Sequence, residues 1–194
     1  MSKRIGIYSG TFDPVHAGHI AFALQAVEAA KLDRLYLVPE RQPRGKHHVT
    51  HFAHRVAMVR RAVRPYKQLE VLEIEDKLFS VAHTLPRIRS RFPDSRLVFV
   101  CGSDVLGHMQ SWSHVDEFLR ICELCVGRRE KETSDSVEKS LRQLPTNPVA
   151  VTVLESHAPA VSSSQIRAAI RENRGVRGLL HSVQAYANQE WLYL

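Results

Sequence analysis

The most constraining feature of the sequence is an unbroken succession of strand, turn and helix near the N-terminus. Residues 5–8 form a short apolar run, residues 10–19 read Gly-Thr-Phe-Asp-Pro-Val-His-Ala-Gly-His, and residues 20–27 place apolar side chains on one helical face. This arrangement directs backbone N–H groups and a helix dipole at the region above the strand end. His16 and His19 add side-chain donors there. At the first strand of an α/β pattern, this favours a nucleotide-phosphate site over a simple polar turn with two solvated histidines.

Apolar runs of strand length alternate with helical patterns over nearly the whole chain. After the first unit, strands are predicted at residues 34–38, 69–72, 97–101, 124–126 and 149–154, and helices at 52–63, 80–92, 114–120, 163–172 and 182–189. Residues 130–144 are predicted to be a charged helix or loop, and Pro86 fits only in the first turn of its helix. The alternation predicts an α/β fold: a doubly wound, Rossmann-like parallel sheet with helices on both faces and a C-terminal helical segment.

The length and composition are typical of one domain, which we expect to span residues 1–194. Of these residues 44% are hydrophobic and 24% are charged, and no apolar run is long enough to span a membrane. The N-terminal residues lead into the first strand without a signal-peptide core, so we expect a cytoplasmic protein. Cys101, Cys122 and Cys125 lie on largely apolar segments and are expected to be buried free thiols, not a disulfide or a zinc site.

The formal net charge of +7 and the pI near 9.6 predict an anionic partner. Four arginines cluster on one predicted helix, a pattern typical of a solvated face: Arg55, Arg60, Arg61 and Arg64. The sequence has no basic stripe interleaved with aromatic residues, so nucleic acid is not the expected partner. A small, phosphate-rich ligand explains the charge equally well. We therefore expect small-molecule substrates, with no nucleic acid and no membrane as partners, and the sequence is compatible with a homo-oligomer.

Two polar segments at strand ends are candidates for the same ligand. Gly102 follows the most apolar strand and permits close backbone approach, while Asp104 can accept from ribose hydroxyls, order a water or cap the next helix. The long basic loop over residues 39–48 follows the second predicted strand. Within it, Lys46 is the residue of interest because a mobile lysine can follow a moving phosphate, whereas the adjacent histidines are expected to be solvated.

A third polar segment follows the last predicted strand. Ser162 and Gln165 have the spacing of a capping box, which by itself indicates only a well-capped helix. The free N–H groups of that helix and the hydroxyls of Ser163 and Ser164 would also make a cradle for an anion. Arg167 projects from the first turn to meet the same anion.

Together these segments bring histidines, a lysine, an arginine and two helix N-termini to one region that can bind an anion. The sequence lacks a Walker-type Gly-Lys-Thr/Ser, a Gly-x-Gly-x-x-Gly and any evident Ser-His-Asp, cysteine–base or zinc arrangement. Nucleotidyl transfer fits what remains, because a phosphate oxygen that attacks the α-phosphorus of a nucleoside triphosphate is already ionised and needs no general base. Alignment and charge stabilisation would supply the rate.

The motif at residues 10–19 and the later Ser-Ser-Ser-Gln-Ile-Arg resemble the paired signatures of the nucleotidyltransferase superfamily built on H-x-G-H. Within it, the chain looks most like the nicotinate mononucleotide adenylyltransferases, which join ATP and nicotinate mononucleotide to give deamido-NAD and pyrophosphate. Further matches run the length of the chain: Gly102-Ser103-Asp104-Val105-Leu106 with Trp112, Val126-Gly127-Arg128-Arg129, and the segment from Tyr186 to Tyr193.

The resemblance implies roles for residues at matching positions. His16 and His19 would hold the triphosphate, with His19 near the α-phosphate, and Lys46 would close on the phosphates. Asp104 would lie near the ribose or adenine, and Trp112 would stack on the pyridine ring, the alternative being a core position. The other implied contacts are Gly10, Thr11, Phe12, Gly18, Gly102, Ser163, Ser164, Ile166 and Arg167 with ATP, and Val81, Thr84 and Arg129 with the pyridine nucleotide. Magnesium would be carried mainly by the ATP phosphates, with no metal site on the protein itself.

Two departures from the family pattern concern the acceptor. The chain has Pro43-Arg44-Gly45-Lys46 where relatives usually have Pro-Pro-His-Lys, and Phe79-Ser80-Val81 where they usually have Ser-Tyr-Thr. The second segment helps to recognise the pyridine carboxylate in the family, so nicotinamide mononucleotide stays open as a substrate. The alternatives are a phosphopantetheine adenylyltransferase-like enzyme and a non-catalytic ATP-binding sensor on the same fold.

Overall fold

A six-stranded parallel sheet forms the centre of the computed structural model, which describes residues 2–128, 133–155, 161–175 and 177–194. Its strands are β1 (Arg4–Gly10), β2 (Arg34–Pro39), β3 (Leu69–Val71), β4 (Arg96–Gly102), β5 (Cys122–Arg128) and β6 (Val151–Glu155). The strand order is β3-β2-β1-β4-β5-β6, and each neighbouring pair is parallel. Because the winding direction reverses between β1 and β4, a crevice opens beyond the carboxyl ends of these two strands.

The described residues also form eight helices: α1 (Ala17–Ala29), α2 (Phe52–Val63), α3 (Thr84–Arg91), α4 (Ser103–Met109), α5 (Val115–Ile121), α6 (Ser134–Arg142), α7 (Ser163–Arg171) and α8 (His181–Gln189). Two buried clusters lie on opposite faces of the sheet. Val98 and Phe99 are consecutive on β4 yet belong to different clusters, because side chains alternate across a strand. Helices α3 to α6 cover one face, and α1, α2 and α8 cover the other. The predicted doubly wound α/β fold is confirmed.

The differences between the predicted and observed elements are local. The helix predicted at residues 80–92 begins at Thr84, because the Ser80 backbone N–H donates to Thr84 Oγ1 at 3.0 Å in a preceding turn. Pro86 therefore lies in the first turn of α3, as required. Helix α4 was not predicted, since it has only seven residues and contains Gly107. The charged segment predicted after residue 130 contains α6.

The basic helix α2 contains one exception to the predicted solvated face. Arg60, Arg61 and Arg64 are exposed, but Arg55 is only 1% exposed. The prediction is wrong for Arg55 because its guanidinium has three backbone carbonyl partners inside the protein: Thr11, Arg41 and Thr50. An arginine can be buried when its N–H groups are hydrogen-bonded in this way.

Cys101, Cys122 and Cys125 are buried and free. Within the described ranges, no helix is both long and apolar enough to cross a membrane.

Candidate active site

A cleft of about 1450 Å³ opens at the carboxyl edge of the sheet. Its floor includes Gly10, Gly102 and Gly127, which lie at or near the ends of β1, β4 and β5. The β1–α1 turn forms one wall, and segments that follow β2, β3 and α4 form the others. The cleft therefore lies where a doubly wound sheet places its ligand.

The β1–α1 turn is shaped by the packing of Phe12 on Gly10. Phe12 has a left-handed backbone conformation with φ of 51° and is only 2% exposed. Its ring lies so close to Gly10 that a Cβ atom there would meet ring carbons at 2.9 to 3.2 Å. Tyr8 packs edge-on against the same ring, with centroids 5.4 Å apart. Gly10 is therefore needed for a close approach that holds the turn folded back on β1.

His16 and His19 are stacked at the N-terminus of α1 and both line the cleft. The His16 backbone N–H donates to His19 Nδ1 at 3.2 Å. A neutral His19 therefore carries its proton on Nε2, which leaves that nitrogen as a donor. His16 is 6% exposed, and among the described residues its buried Nδ1 has no hydrogen-bond partner. Buried polar atoms without a partner are rare in native proteins, and a ligand in the adjoining cleft is one source of the missing partner.

The electrostatics of the histidine pair follow from burial. Burial lowers the pKa of His16 to about 4. Burial, the neighbouring His16 and the charge of Lys46 lower the pKa of His19 well below 6.5. Both imidazoles are therefore neutral near pH 7 in this structure. A bound polyphosphate would act in the opposite direction, because negative charge nearby favours the imidazolium.

Lys46 brings a full positive charge to the same wall of the cleft. Its Nζ donates to Thr11 Oγ1 at 2.8 Å, across 35 residues of sequence. Arg44 from the same loop also lines the cleft. The long basic loop after β2 thus returns to the turn that carries the histidines.

The carbonyl groups of the turn are bound by side chains that do not line the cleft. Arg55 Nη1 donates to the Thr11 carbonyl at 2.7 Å. Arg167 Nη1 donates to the Asp13 carbonyl at 2.6 Å, and Ser163 Oγ donates to the Pro14 carbonyl at 2.9 Å. Helices α2 and α7 therefore hold the turn by its backbone.

On the β4 side, Gly102 and Asp104 lie next to each other in the cleft wall. A Cβ atom on Gly102 would approach Asp104 Oδ1 to 2.5 Å, so glycine is required for the carboxylate to lie against the strand end. Asp104 is in the first turn of α4, where a helix dipole favours a negative charge. The carboxylate also helps burial to raise the pKa of Tyr8 on the cleft floor.

Trp112 lies between the two alternatives from the sequence, a core position and a position at the ligand site. Its ring packs against Phe79, Phe99 and Phe118, with centroids 6.1, 5.7 and 5.7 Å away. It is nevertheless only partly buried, and it lines the same cleft as the histidine pair. One side of the indole is thus supported by the core and the rest is available to a ligand.

Several known proteins are similar to this chain. The family model described as "Cytidylyltransferase-like" matches residues 7–169. A protein from Gemmatimonas aurantiaca named "Probable nicotinate-nucleotide adenylyltransferase" is 32% identical over 195 residues, which cover 98% of this chain and 92% of the relative. A protein of the same name from Desulfitobacterium hafniense is 32% identical over 98% of this chain and 96% of its own length.

The chain belongs to the nicotinate-nucleotide adenylyltransferase family. It is therefore a nucleotidyltransferase, as the sequence motifs predicted. Among solved structures, the Plasmodium falciparum nicotinic acid mononucleotide adenylyltransferase complexed with NaAD superimposes with a TM-score of 0.79. The alignment covers 98% of this chain and 97% of that one at 18% sequence identity. At that identity, the likeness supports the fold.

Most of the site residues predicted from the nicotinate-nucleotide adenylyltransferase resemblance meet in the cleft. Those that line it are Gly10, Thr11, Phe12, His16, Gly18, His19, Lys46, Val81, Gly102, Asp104 and Trp112. Arg129 lies outside the described residues. The chain's own fold thus brings together segments that are more than 100 residues apart.

Five predicted residues do not line the cleft in this structure. Thr84 is fully buried, and its hydroxyl shapes the turn before α3. Ile166 is 1% exposed and acts as the buried anchor of α7. Ser163 and Arg167 point to the backbone of the turn, as described above, and Ser164 is exposed at the start of α7. The structure shows packing or hydrogen bonds within the protein at Thr84, Ile166, Ser163 and Arg167. The predicted contacts of all five residues with the substrates stay predictions.

Several cleft residues were not predicted from the sequence. Tyr8 was interpreted only as part of an apolar strand, and Glu40 as part of a basic loop, although Glu40 Oε1 accepts from Ser9 Oγ at 3.2 Å. Arg128 was noted within a family motif without a role, and it lines the cleft beside Gly127. Ser162 and Gln165, the observed capping box of α7, also reach the cleft. Glu40 and Arg128 lie at the carboxyl ends of β2 and β5, and that position is the signal that could have identified them.

Proposed function

We propose that the protein transfers the adenylyl group of MgATP to nicotinate mononucleotide and releases pyrophosphate. The observation that carries this proposal is the stacked His16–His19 pair at the N-terminus of α1, in which His16 Nδ1 is buried and has no hydrogen-bond partner within the described part of the chain. The names of the relatives support the choice of reaction, and the Plasmodium complex with NaAD supports a dinucleotide product on this fold.

The proposed reaction forms one P–O bond and breaks another. A phosphate oxygen of the mononucleotide attacks the α-phosphorus of ATP, and the bond to the β-phosphate bridging oxygen breaks, so that pyrophosphate leaves with its electron pair. The attacking oxygen is already ionised, which removes the need for a general base. The protein must align the two phosphates and stabilise charge that develops on the transferring group.

The residues of the β1–α1 turn are proposed to supply that stabilisation. His19 Nε2 is a donor because Nδ1 accepts from the backbone, and we assign it to the α-phosphate. The unpartnered Nδ1 of His16 is assigned to the triphosphate, where it acts as a donor once that nitrogen is protonated. Lys46 would exchange its contact with Thr11 for one with the β- or γ-phosphate. Each contact strengthens as negative charge accumulates during transfer.

Helix α7 is proposed to contribute in two ways. Arg167 and Ser163 fix the backbone of the turn in the structure. An arginine has five N–H donors, so Arg167 can keep its bond to Asp13 and still donate to a phosphate. Ser164, exposed in the first turn of α7, is the further hydroxyl proposed to meet the β- and γ-phosphates. Magnesium is proposed to arrive with ATP as part of the substrate.

At the acceptor end of the cleft, Trp112 is proposed to stack on the pyridine ring. Among the described residues, the cationic side chains that line the cleft are Arg44, Lys46 and Arg128, and the carboxylates are Glu40 and Asp104. This excess of positive charge supports the acid over the amide as acceptor. The three cysteines are free and buried, which suits a reducing compartment, and the cytoplasm is the location that we propose.

The test is pyrophosphate release with MgATP and, separately, nicotinate mononucleotide, nicotinamide mononucleotide and phosphopantetheine. We expect the highest kcat/KM with nicotinate mononucleotide. A higher value with the amide would overturn the assignment of the acid, and turnover with phosphopantetheine alone would replace the reaction. Binding of ATP without release in any arm would identify a sensor.

A further inference from the structure

We propose that Tyr193, the residue before the C-terminal Leu194, is a positioning residue for the turn that carries the catalytic histidines. The proposal rests on the proposed function, since it concerns the same site. Tyr193 OH donates to Asp13 Oδ1 at 2.7 Å, and 180 residues separate the two in sequence. The tyrosine does not line the cleft, so its effect on a substrate would pass through Asp13.

Asp13 joins the turn to three other parts of the chain. Its side chain accepts from Tyr193 through Oδ1 and from the Thr50 backbone N–H through Oδ2, the latter at 3.2 Å. Its backbone carbonyl accepts from Arg167. Asp13 is 4% exposed, so loss of one donor would leave a buried carboxylate oxygen short of a partner.

The hydroxyl of Tyr193 is suited to a permanent role as donor. Burial, followed by the hydrogen bond to Asp13, raises the pKa of Tyr193 far above its usual value of 10. The hydroxyl therefore remains protonated over the whole range in which the enzyme can work. It contacts Met58 of α2 as well, at 3.8 Å from Sδ, and the ring packs against the buried cluster that contains Met58 and Val98.

The tail that carries Tyr193 is bent back towards the turn. Trp191 and Tyr193 have left-handed backbone conformations, with φ of 54° and 68°. Such conformations are unfavourable for large side chains and persist only where contacts compensate. Leu192 and Tyr193 pack on the core, whereas Trp191 is 79% exposed and Leu194 is 74% exposed. This bend places the Tyr193 hydroxyl within hydrogen-bonding distance of Asp13.

A short path connects Asp13 to the histidines. His16 follows Asp13 by three residues, and its backbone N–H orients the His19 ring. Release of the Asp13 side chain would let the backbone of the turn shift and misdirect His19 Nε2. A displacement of about 1 Å in a reacting group can cost about a hundredfold in rate.

The experiment compares Tyr193→Phe with a matched control, Tyr186→Phe. Tyr186 lies on α8, and its hydroxyl bonds His54 Nδ1 on α2 at 2.9 Å, so the control removes a hydroxyl contact of the same C-terminal region without touching the turn. We expect Tyr193→Phe to lower kcat about tenfold or more with little change in the KM for ATP. Tyr186→Phe should keep the kcat of the wild type, although each variant loses one hydroxyl hydrogen bond and some thermal stability.

A second readout needs no turnover. Amide hydrogen exchange over residues 11–19 should become faster in Tyr193→Phe and remain at the wild-type rate in Tyr186→Phe. Equal kcat and equal exchange in the two variants would overturn the positioning role. If the wild-type protein releases no pyrophosphate, the proposed function fails, and the exchange measurement still decides the role of Tyr193.

Discussion

The imidazole rings of His16 and His19 are stacked with their centroids 3.7 Å apart, and the backbone N–H of the first donates to Nδ1 of the second. Two like groups can lie this close at the end of α1 because burial keeps both neutral. The backbone N–H of His16 sets the orientation of the His19 ring, and the proximity of His16 also lowers the pKa of His19. A phosphate bound against the pair would accept a hydrogen bond from His19 Nε2, whose direction is set by the backbone bond to Nδ1.

Replacement of His19 by alanine should therefore act mainly on the chemical step. We expect His19→Ala to lower kcat by about a hundredfold to a thousandfold, because its donor stabilises charge in the transition state. Steady-state pyrophosphate release measures the effect. His181→Ala, at an exposed position at the start of α8, is the control and should retain wild-type turnover. Near-normal kcat in His19→Ala would contradict the assigned role.

The buried imidazole of His16 should make the protein less stable in acid. Its pKa is about 4 in the folded protein and 6.5 in the unfolded chain. Between these values the unfolded chain binds more protons, so the free energy of unfolding falls as the pH falls from 6.5 towards 4. At pH 4.5 the loss at this residue is about 2 kcal/mol relative to pH 7.

Urea denaturation at pH 7 and pH 4.5 tests this pH dependence in the wild type and in His16→Gln. Glutamine does not titrate, so the variant should lose less stability on acidification than the wild type does. The same loss in both proteins would show that another group causes the acid sensitivity.

The indole of Trp112 should contribute to acceptor binding without changing the ATP site. We expect Trp112→Ala to raise the KM for the pyridine nucleotide while the KM for ATP stays nearly unchanged. Because the ring also packs on Phe79, Phe99 and Phe118, the alanine variant should be less stable as well. Trp112→Phe retains an aromatic face and should recover most of the KM. Thermal unfolding of both variants separates stacking from packing, and unfolded alanine and phenylalanine variants would assign Trp112 to the core.

The buried guanidinium of Arg55 should be essential for folding stability. Arg55→Met leaves the carbonyls of Thr11, Arg41 and Thr50 without their donor, and we expect a loss of about 3–5 kcal/mol in the free energy of unfolding. Arg60→Met on the same helix removes an exposed ion pair with Glu73 and should cost less than about 1 kcal/mol. Urea denaturation compares the two, and equal losses would show that the three carbonyl contacts contribute little.

Much of the fold was predictable because its signals are local. The apolar runs of β1 and β4 and the helical pattern of α1 each extend over a few consecutive residues, and the parallel topology follows from their alternation. The β1–α1 turn was predictable for the same reason. Its glycine, histidines and following helix are adjacent in sequence, and the sheet rule places such a turn beside the ligand crevice.

The sequence by itself determined the order of strands and helices, the turn with its two histidines and the family to which the chain belongs. Only the tertiary structure decided that Arg55 is buried, that Ser163 and Arg167 bind backbone carbonyls of the turn, and that Tyr193 reaches Asp13. These contacts join residues up to 180 positions apart. Local patterns predict local structure, whereas a hydrogen bond between distant segments exists only once packing has brought its donor and acceptor together.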